Sequence, residues 1–177
     1  MIQYSQNCLL EKVARKDVLA GSTSKKVIIR RFDREPLTGF VNPGTYLLPE
    51  GVEVLSPTGS VMVVPYRDVK AVCFVRDFDA DEPSSDLKLF QTRPKMEGLW
   101  VRMRFVDGEL MDGLLPNNLL QLETFGFTVV PPNASSNNQR IFVPRSALTE
   151  FKVLGVIGSP IRRRKLQPGK QLEMFEE

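Results

Sequence analysis

Histidine, the side chain that serves most often as a general base, is absent from this 177-residue chain. Its absence removes the Ser-His and Cys-His nucleophile pairs and every metal site that needs an imidazole ligand. Most hydrolase chemistry is therefore disfavoured by composition. We expect a protein that is not an enzyme and that holds no metal and no cofactor.

Acidic residues are the remaining candidates for catalysis or metal binding. Residues 77–82 contain four carboxylates, but the glycine and the terminal glutamate of an EF-hand loop are missing, so a solvated acidic loop is favoured. Glu35 and Glu109 occupy equivalent places in two similar segments, and no nucleophile or metal ligand accompanies them in the sequence. We interpret both as surface acids that flank turns.

The two cysteines, Cys8 and Cys73, stand among apolar neighbours far apart in the sequence. Buried, reduced thiols are favoured over a disulfide or a redox pair, because free cysteine behaves as a small apolar residue. The N-terminal residues contain no apolar run of the length that a signal sequence needs, and no run in the sequence is long enough to span a membrane. We expect a cytoplasmic protein with no membrane partner.

Positive charge is concentrated in the C-terminal tail. The whole chain has a net charge of only +3, whereas residues 159–170 contain five basic residues and no acid. Pro160, Pro168 and Gly169 oppose regular structure there, which predicts a flexible extension. The cations at its centre are either a solubilising run or a weak, salt-sensitive contact to DNA or RNA phosphates. They are Arg162, Arg163, Arg164 and Lys165.

The last residues of the tail, 171–175, read QLEMF. This pentapeptide resembles the motif by which bacterial replication and repair proteins dock on the sliding clamp. The resemblance implies that Leu172, Met174 and Phe175 fill an apolar pocket of the clamp while Gln171 hydrogen-bonds at its rim. A few such anchors reach micromolar affinity. The alternatives are docking of these side chains on the chain's own strands, and another partner.

The part of the chain that precedes this tail contains an internal duplication. Three colinear blocks repeat, at residues 27–40 and 101–114, 51–57 and 126–132, and 62–72 and 141–151. The offsets of 74, 75 and 79 confine the insertions to loops, as a structural repeat requires.

Each copy is predicted to form five short strands. Residues 101–105 alternate apolar and cationic side chains, and Asp107-Gly108 is a hairpin-turn dipeptide before a second strand at 110–115. Pro65 and Pro144 lack an amide hydrogen and should end the fourth strands. The predicted third, fourth and fifth strands are 52–55, 61–64 and 71–75 in the first copy, and 125–130, 140–143 and 151–156 in the second.

Five short strands with a bent second strand resemble the Sm-like fold, a small barrel of RNA-associated rings. The segment FVDGELMDGLL at residues 105–115 carries this resemblance best. The resemblance implies an all-β protein of two tandem five-stranded barrels, with SH3-like barrels as the alternative. It also implies a short N-terminal helix at residues 6–20, which an apolar stripe through Leu9 and Val13 supports. The predicted divisions are a helical segment at 1–24, barrels at 25–78 and 98–158, a linker at 79–97 and a tail at 159–177.

The residues with which Sm-like proteins read uridine-rich RNA do not match this chain. An Arg-Gly pair follows the fourth strand in that family, whereas Pro65-Tyr66 and Pro144-Arg145 stand here. The fold can therefore occur without the nucleotide pocket, because function depends on sites and not on folds.

We predict a non-enzymatic binding or adaptor protein that its C-terminal peptide recruits to the bacterial sliding clamp, in DNA replication or repair. The alternative is an RNA-binding Sm-like protein that forms a homo-oligomer through the edge strands of its barrels. In either case Arg30, Arg102 and Arg104 on the predicted strand faces would extend the cationic surface.

Overall fold

A computed structural model describes residues 23–78, 88–118, 120, 122–132 and 137–158. In this part of the chain the structure is all-β, and it has no α-helix. The predicted N-terminal helix at 6–20 and the predicted tail lie outside the described residues. No helix capable of crossing a membrane occurs in the described ranges.

The described residues form eleven strands. Those of the first half are β1 (Lys25–Arg31), β2 (Leu37–Val41), β3 (Leu47–Leu48), β4 (Gly51–Leu55), β5 (Val61–Pro65) and β6 (Val69–Val75). Those of the second half are β7 (Gly98–Phe105), β8 (Leu110–Leu115), β9 (Gly126–Val129), β10 (Asn138–Pro144) and β11 (Leu148–Ile157). One-turn 3-10 helices separate β5 from β6 and β10 from β11.

The strands form one curled sheet of eight strands and a second sheet of three. The large sheet contains all six strands of the first half together with β9 and β10, and the small sheet has the order β11-β7-β8. The prediction of two tandem five-stranded barrels is therefore not confirmed. The physical reason is that β10 pairs with the edge of β6, which satisfies backbone groups that two separate barrels would leave open.

The apolar core also crosses the boundary between the halves. One buried cluster joins Ile28 and Cys73 of the first half to Val101 and Met103 of the second. The other cluster belongs to the first half except for Phe142, whose ring is fully buried in it. The halves are thus packed together by shared side chains as well as by the sheet.

Strand pairing is equivalent in the two halves. β1 pairs with β2 and β6 as β7 pairs with β8 and β11, and β4 pairs with β5 as β9 pairs with β10, at residues that the offsets of the repeat relate. The matching pairs are Val27↔Gly39 and Val101↔Gly113, Ile29↔Val72 and Met103↔Phe151, and Gly51↔Pro65 and Gly126↔Pro144. A register shift at Arg30/Arg31 also recurs, between Leu148 and Glu150.

Local signals in the sequence account for the turns. Gly108 has a φ of +86°, and the amide of Phe105 donates to the carbonyl of Glu109 at 2.8 Å, which confirms the predicted hairpin. Pro65 and Pro144 are the last residues of β5 and β10, as predicted. The two-residue strand β3 was not predicted.

Candidate functional site

Inside the chain, the two halves meet where β10 pairs with β6 in antiparallel fashion. Ile141 lies opposite Cys73, and Phe142 lies opposite Val72. All four side chains are buried, and Phe142 and Val72 are 0% exposed. This junction between the fourth strand of one half and the last strand of the other is well packed.

A loop asparagine secures one end of the junction. The backbone amides of Arg76 and Asp77 donate to Oδ1 of Asn137, at 3.0 and 2.9 Å. Asn137 returns a bond from Nδ2 to the carbonyl oxygen of Asp77 at 2.8 Å. The chain after β6 is thereby tied to the chain before β10.

Four strands of four or more residues pair along their length with one other strand in the described part of the chain. A bridge between Leu114 and Val130 joins β8 to the end of β9. In contrast, β5 pairs only with β4 and β11 pairs only with β7, so these two edges remain open. Each carries three exposed large apolar residues, and Val61, Val63 and Val153 are exposed by 63%, 43% and 54%. Natural proteins normally blunt or cover such edges, so a pair of apolar edges marks a candidate interaction site.

The two open edges are the counterparts, in the repeat, of the two edges that pair inside the chain. An offset of 79 relates β5 to β10 and β11 to β6. Val63 thus corresponds to Phe142, and Phe151 corresponds to Val72. Phe142 and Val72 of the internal junction are fully buried, whereas Val63 is exposed and Phe151 is only partly buried.

A network of ion pairs reinforces the contact between the halves. Lys70 of β6 pairs with Asp107 and, at 2.6 Å, with Glu109, which also pairs with Lys88 at 2.5 Å. Burial alone would raise the pKa of Glu109, but the two ammonium groups outweigh burial and hold this pKa below its usual value. Burial alone would lower the pKa of Lys70, but the hydrogen bonds to Asp107 and Glu109 outweigh burial and raise this pKa above its usual value. Glu109 therefore acts as a structural ion-pair partner.

Asp112 is a fully buried carboxylate at the centre of the second half. Arg102 donates to it from Nε at 2.7 Å and from Nη2 at 3.0 Å. The amide of Phe90 and the indole Nε1 of Trp100 donate to Oδ2 at 3.2 and 3.3 Å. Asp112 thus fastens Phe90, within the segment predicted as a linker, to the strands β7 and β8.

The predicted cationic strand face is partly neutralised. Arg102 is bound to Asp112, and Nε of Arg104 lies 3.4 Å from Oε2 of Glu150. These pairings reduce the positive potential that would favour nucleic-acid phosphates. The face is therefore a weaker candidate for RNA binding than the alternating pattern in the sequence indicated.

Of the remaining residues that the sequence singled out, some lie in the described ranges and others do not. Cys73 is buried, as predicted, and Asp77 pairs with Lys26 at 2.9 Å. The backbone carbonyl of Glu35 accepts a bond from Arg31 Nε at 2.9 Å. Cys8, the acids at 79–82, the basic block 162–165 and the peptide 171–175 lie outside the described residues. No cluster of metal-ligating side chains occurs in the described ranges.

A cleft between the halves was missed by reasoning from the sequence. It has a volume of about 380 Å³, and its lining includes Lys25 and Phe74 of the first half and Glu123, Thr128 and Arg140 of the second. Burial raises the pKa of Glu123, against the opposing effect of a hydrogen bond from Thr128. These residues come from distant segments, and no local motif links them.

The fold and its edges define an all-β protein of two equivalent halves that are joined through one sheet edge, with the matching pair of edges open in the described residues. The model of a family of unknown function, DUF6982, matches residues 23–155, so the chain belongs to this family. Comparison with curated proteins and with solved structures found no match.

Proposed function

We propose that this protein is a non-enzymatic adaptor that assembles with copies of itself, by pairing of the β5 edge of one copy with the β11 edge of the next. The observation that carries the proposal is the β6–β10 junction, in which the equivalent two edges pair within the chain. Strand addition at a sheet edge supplies main-chain hydrogen bonds, and the opposed side chains supply specificity.

The internal junction specifies the register between copies. Arg140 lies opposite Phe74, and Phe142 opposite Val72. Moving each residue by the repeat offset of 79 places Val61 opposite Val153 and Val63 opposite Phe151. This register sets the exposed valines of one edge against apolar residues of the other, which removes them from water.

Charged side chains on β11 make the edge selective. Lys152 and Glu150 form an ion pair at 2.7 Å, and both lie on a strand that is otherwise rich in apolar residues. Charges on an edge strand oppose pairing with most other strands. They still allow pairing with a partner strand in one particular register. In the proposed register Met62 lies opposite Lys152, whose aliphatic stem packs on apolar surface while its ammonium group reaches water.

The proposed contact is head-to-tail, because the two edges differ. Such an interface generates a closed ring when the rotation between copies closes, and an open filament when it does not. Either assembly displays many copies of the C-terminal tail on one particle.

Light scattering on the full chain tests the assembly. We expect a molar mass well above the 20.0 kDa of one chain, and we expect Val63→Lys to return the mass to 20.0 kDa because it places an ammonium group in the edge contact. The matched control is Val106→Lys, at another exposed valine, between β7 and β8, which should leave the assembly intact. A monomeric wild type, or a folded Val63→Lys variant of unchanged mass, would contradict the proposal.

The adaptor role rests on the peptide at residues 171–175, which resembles the docking motif for the bacterial sliding clamp. An assembly with several such peptides would bind a multivalent partner more tightly than one chain does, because the later contacts are intramolecular.

The docking prediction is tested with the full chain and immobilised clamp. We expect saturable binding that Phe175→Ala weakens by at least about tenfold, because the aromatic anchor is lost. Glu177→Ala, outside the motif, is the control and should bind like the wild type. If wild type and Phe175→Ala bind equally, or neither binds, the peptide does not recruit the clamp.

A further inference from the structure

A groove crosses the boundary between the halves. Two cavities of about 380 and 340 Å³ adjoin, because Glu123, Thr128 and Arg140 line both of them. Small-molecule sites occur preferentially in clefts of this size and between structural units. The groove is formed within one chain, and it is independent of the proposed assembly.

The carboxylate of Glu123 has unused acceptor capacity toward this groove. The hydroxyl of Thr128 lies 3.0 Å from both carboxylate oxygens, and no other donor of the described residues bonds to them. An ionised carboxylate has about four acceptor sites. The nearby carboxylate also contributes to raising the pKa of Tyr46, after the larger effect of burial. A ligand with adjacent N–H donors would complete the bonding of Glu123.

Two cations and apolar surface complete the lining. Lys25 and Arg140 are exposed, and no carboxylate of the described residues lies within 4.0 Å of their charged groups, whereas Lys26 is paired with Asp77. Phe74 and Pro43 form apolar wall. The groove therefore offers an acceptor pair, an aromatic surface and unpaired positive charge to a single ligand.

We infer that this groove binds a guanosine phosphate, either as a free nucleotide or within an RNA strand. Guanine presents two neighbouring donors, N1–H and the N2 amino group, on the edge that would face Glu123. Adenine places an acceptor, N1, at the equivalent position, and uracil and cytosine each present a single donor there. The ring packs on Phe74, and the phosphate lies toward Arg140 and Lys25.

Calorimetric titration of the full-length protein tests the inference with GMP, IMP, AMP and inorganic phosphate. GMP should bind at least about tenfold more tightly than AMP, because losing a hydrogen bond to a charged group weakens binding by about that factor or more. IMP, which lacks the N2 amino group, should be intermediate, and phosphate alone should bind weakest. Glu123→Gln should remove the preference for GMP, because it replaces one acceptor by a donor.

Glu53→Gln, the same change on β4 outside the groove, is the control and should keep the preference. Five-residue RNAs with one guanosine or one adenosine distinguish the sources. If only the RNA with guanosine binds, and Glu123→Gln abolishes it, the guanosine is recognised within a strand. Equal affinity for guanine and adenine ligands, no binding of any probe, or a preference that survives in Glu123→Gln would overturn the inference. The comparison of GMP with AMP uses the wild-type protein, so it tests the inference even if Glu123→Gln fails to fold.

Discussion

Replacing Asp112 by alanine is expected to lower the free energy of unfolding by about 3 kcal/mol. The carboxylate is fully buried, and it accepts bonds from the Arg102 guanidinium, the Phe90 amide and the Trp100 indole. Removing one partner of a buried pair costs about 3–5 kcal/mol because the other charge is left uncompensated. Arg102 is 35% exposed and can be partly hydrated, so the lower end of this range applies.

Urea denaturation followed by tryptophan fluorescence provides the measurement, since Trp100 itself contacts Asp112. Asp112→Asn keeps the shape and loses the charge, and it should fall between wild type and Asp112→Ala. The control is Glu150→Ala, which removes the acid of the exposed pair with Arg104 and should leave the urea midpoint unchanged. Equal midpoints for Asp112→Ala and Glu150→Ala would show that the buried network does not hold the second half together.

Replacing Gly126 by alanine is expected to destabilise the fold by about 2–3 kcal/mol. A Cβ at this position would lie 2.3 Å from the carbonyl oxygen of Val143 and 2.7 Å from ring atoms of Phe142. The first clash is with the backbone of β10, which cannot rotate away. Phe142 belongs to the junction between the halves, so the strain should spread to β6.

Gly155→Ala is the matched control, because an added Cβ in β11 would meet nothing within 4 Å. Thermal melting should show a clear loss for Gly126→Ala and none for Gly155→Ala. Gly51, the counterpart of Gly126 in the first half, should behave like Gly126, because its Cβ would lie 2.2 Å from the carbonyl oxygen of Val64. Unchanged melting of Gly126→Ala would mean that β9 and β10 are not held at the observed separation.

The strands were largely predictable because their signals are local. Period-two alternation, the Asp107-Gly108 turn and a proline at the end of each fourth strand place them within a few residues, and β8 has the predicted bounds. The β6–β10 junction was not predictable, because nothing in the local pattern of a strand indicates which distant edge it joins. Two tandem barrels were expected for the same reason.

The sites were less predictable than the strands. Arg102 has the position of a solvent-facing cation in the alternating pattern, yet it pairs with Asp112, which lies opposite it on the next strand. Glu123 lies in a segment without periodicity, and its environment arises from Thr128, Tyr46 and the opposite half. Burial and pairing of such groups depend on tertiary contacts, which composition and spacing do not encode. The assignments to residues 162–165 and 171–175 stay predictions from the sequence.

Cysteine cross-linking between copies tests the proposed assembly most directly. Val61→Cys and Val153→Cys are made in separate chains that carry Cys8→Ser, mixed and oxidised, while Cys73 stays buried. Directly opposed residues of an antiparallel pair bring their Cβ atoms close enough for a disulfide. The control mixture, Met62→Cys with Val153→Cys, is out of register by one residue, and its side chains point to opposite faces.

Pairing of the β5 and β11 edges predicts a mixed disulfide between the Val61→Cys and Val153→Cys chains in high yield, and little in the control mixture. Equal yields in the two mixtures, or no disulfide between Val61→Cys and Val153→Cys, would contradict pairing of the β5 and β11 edges.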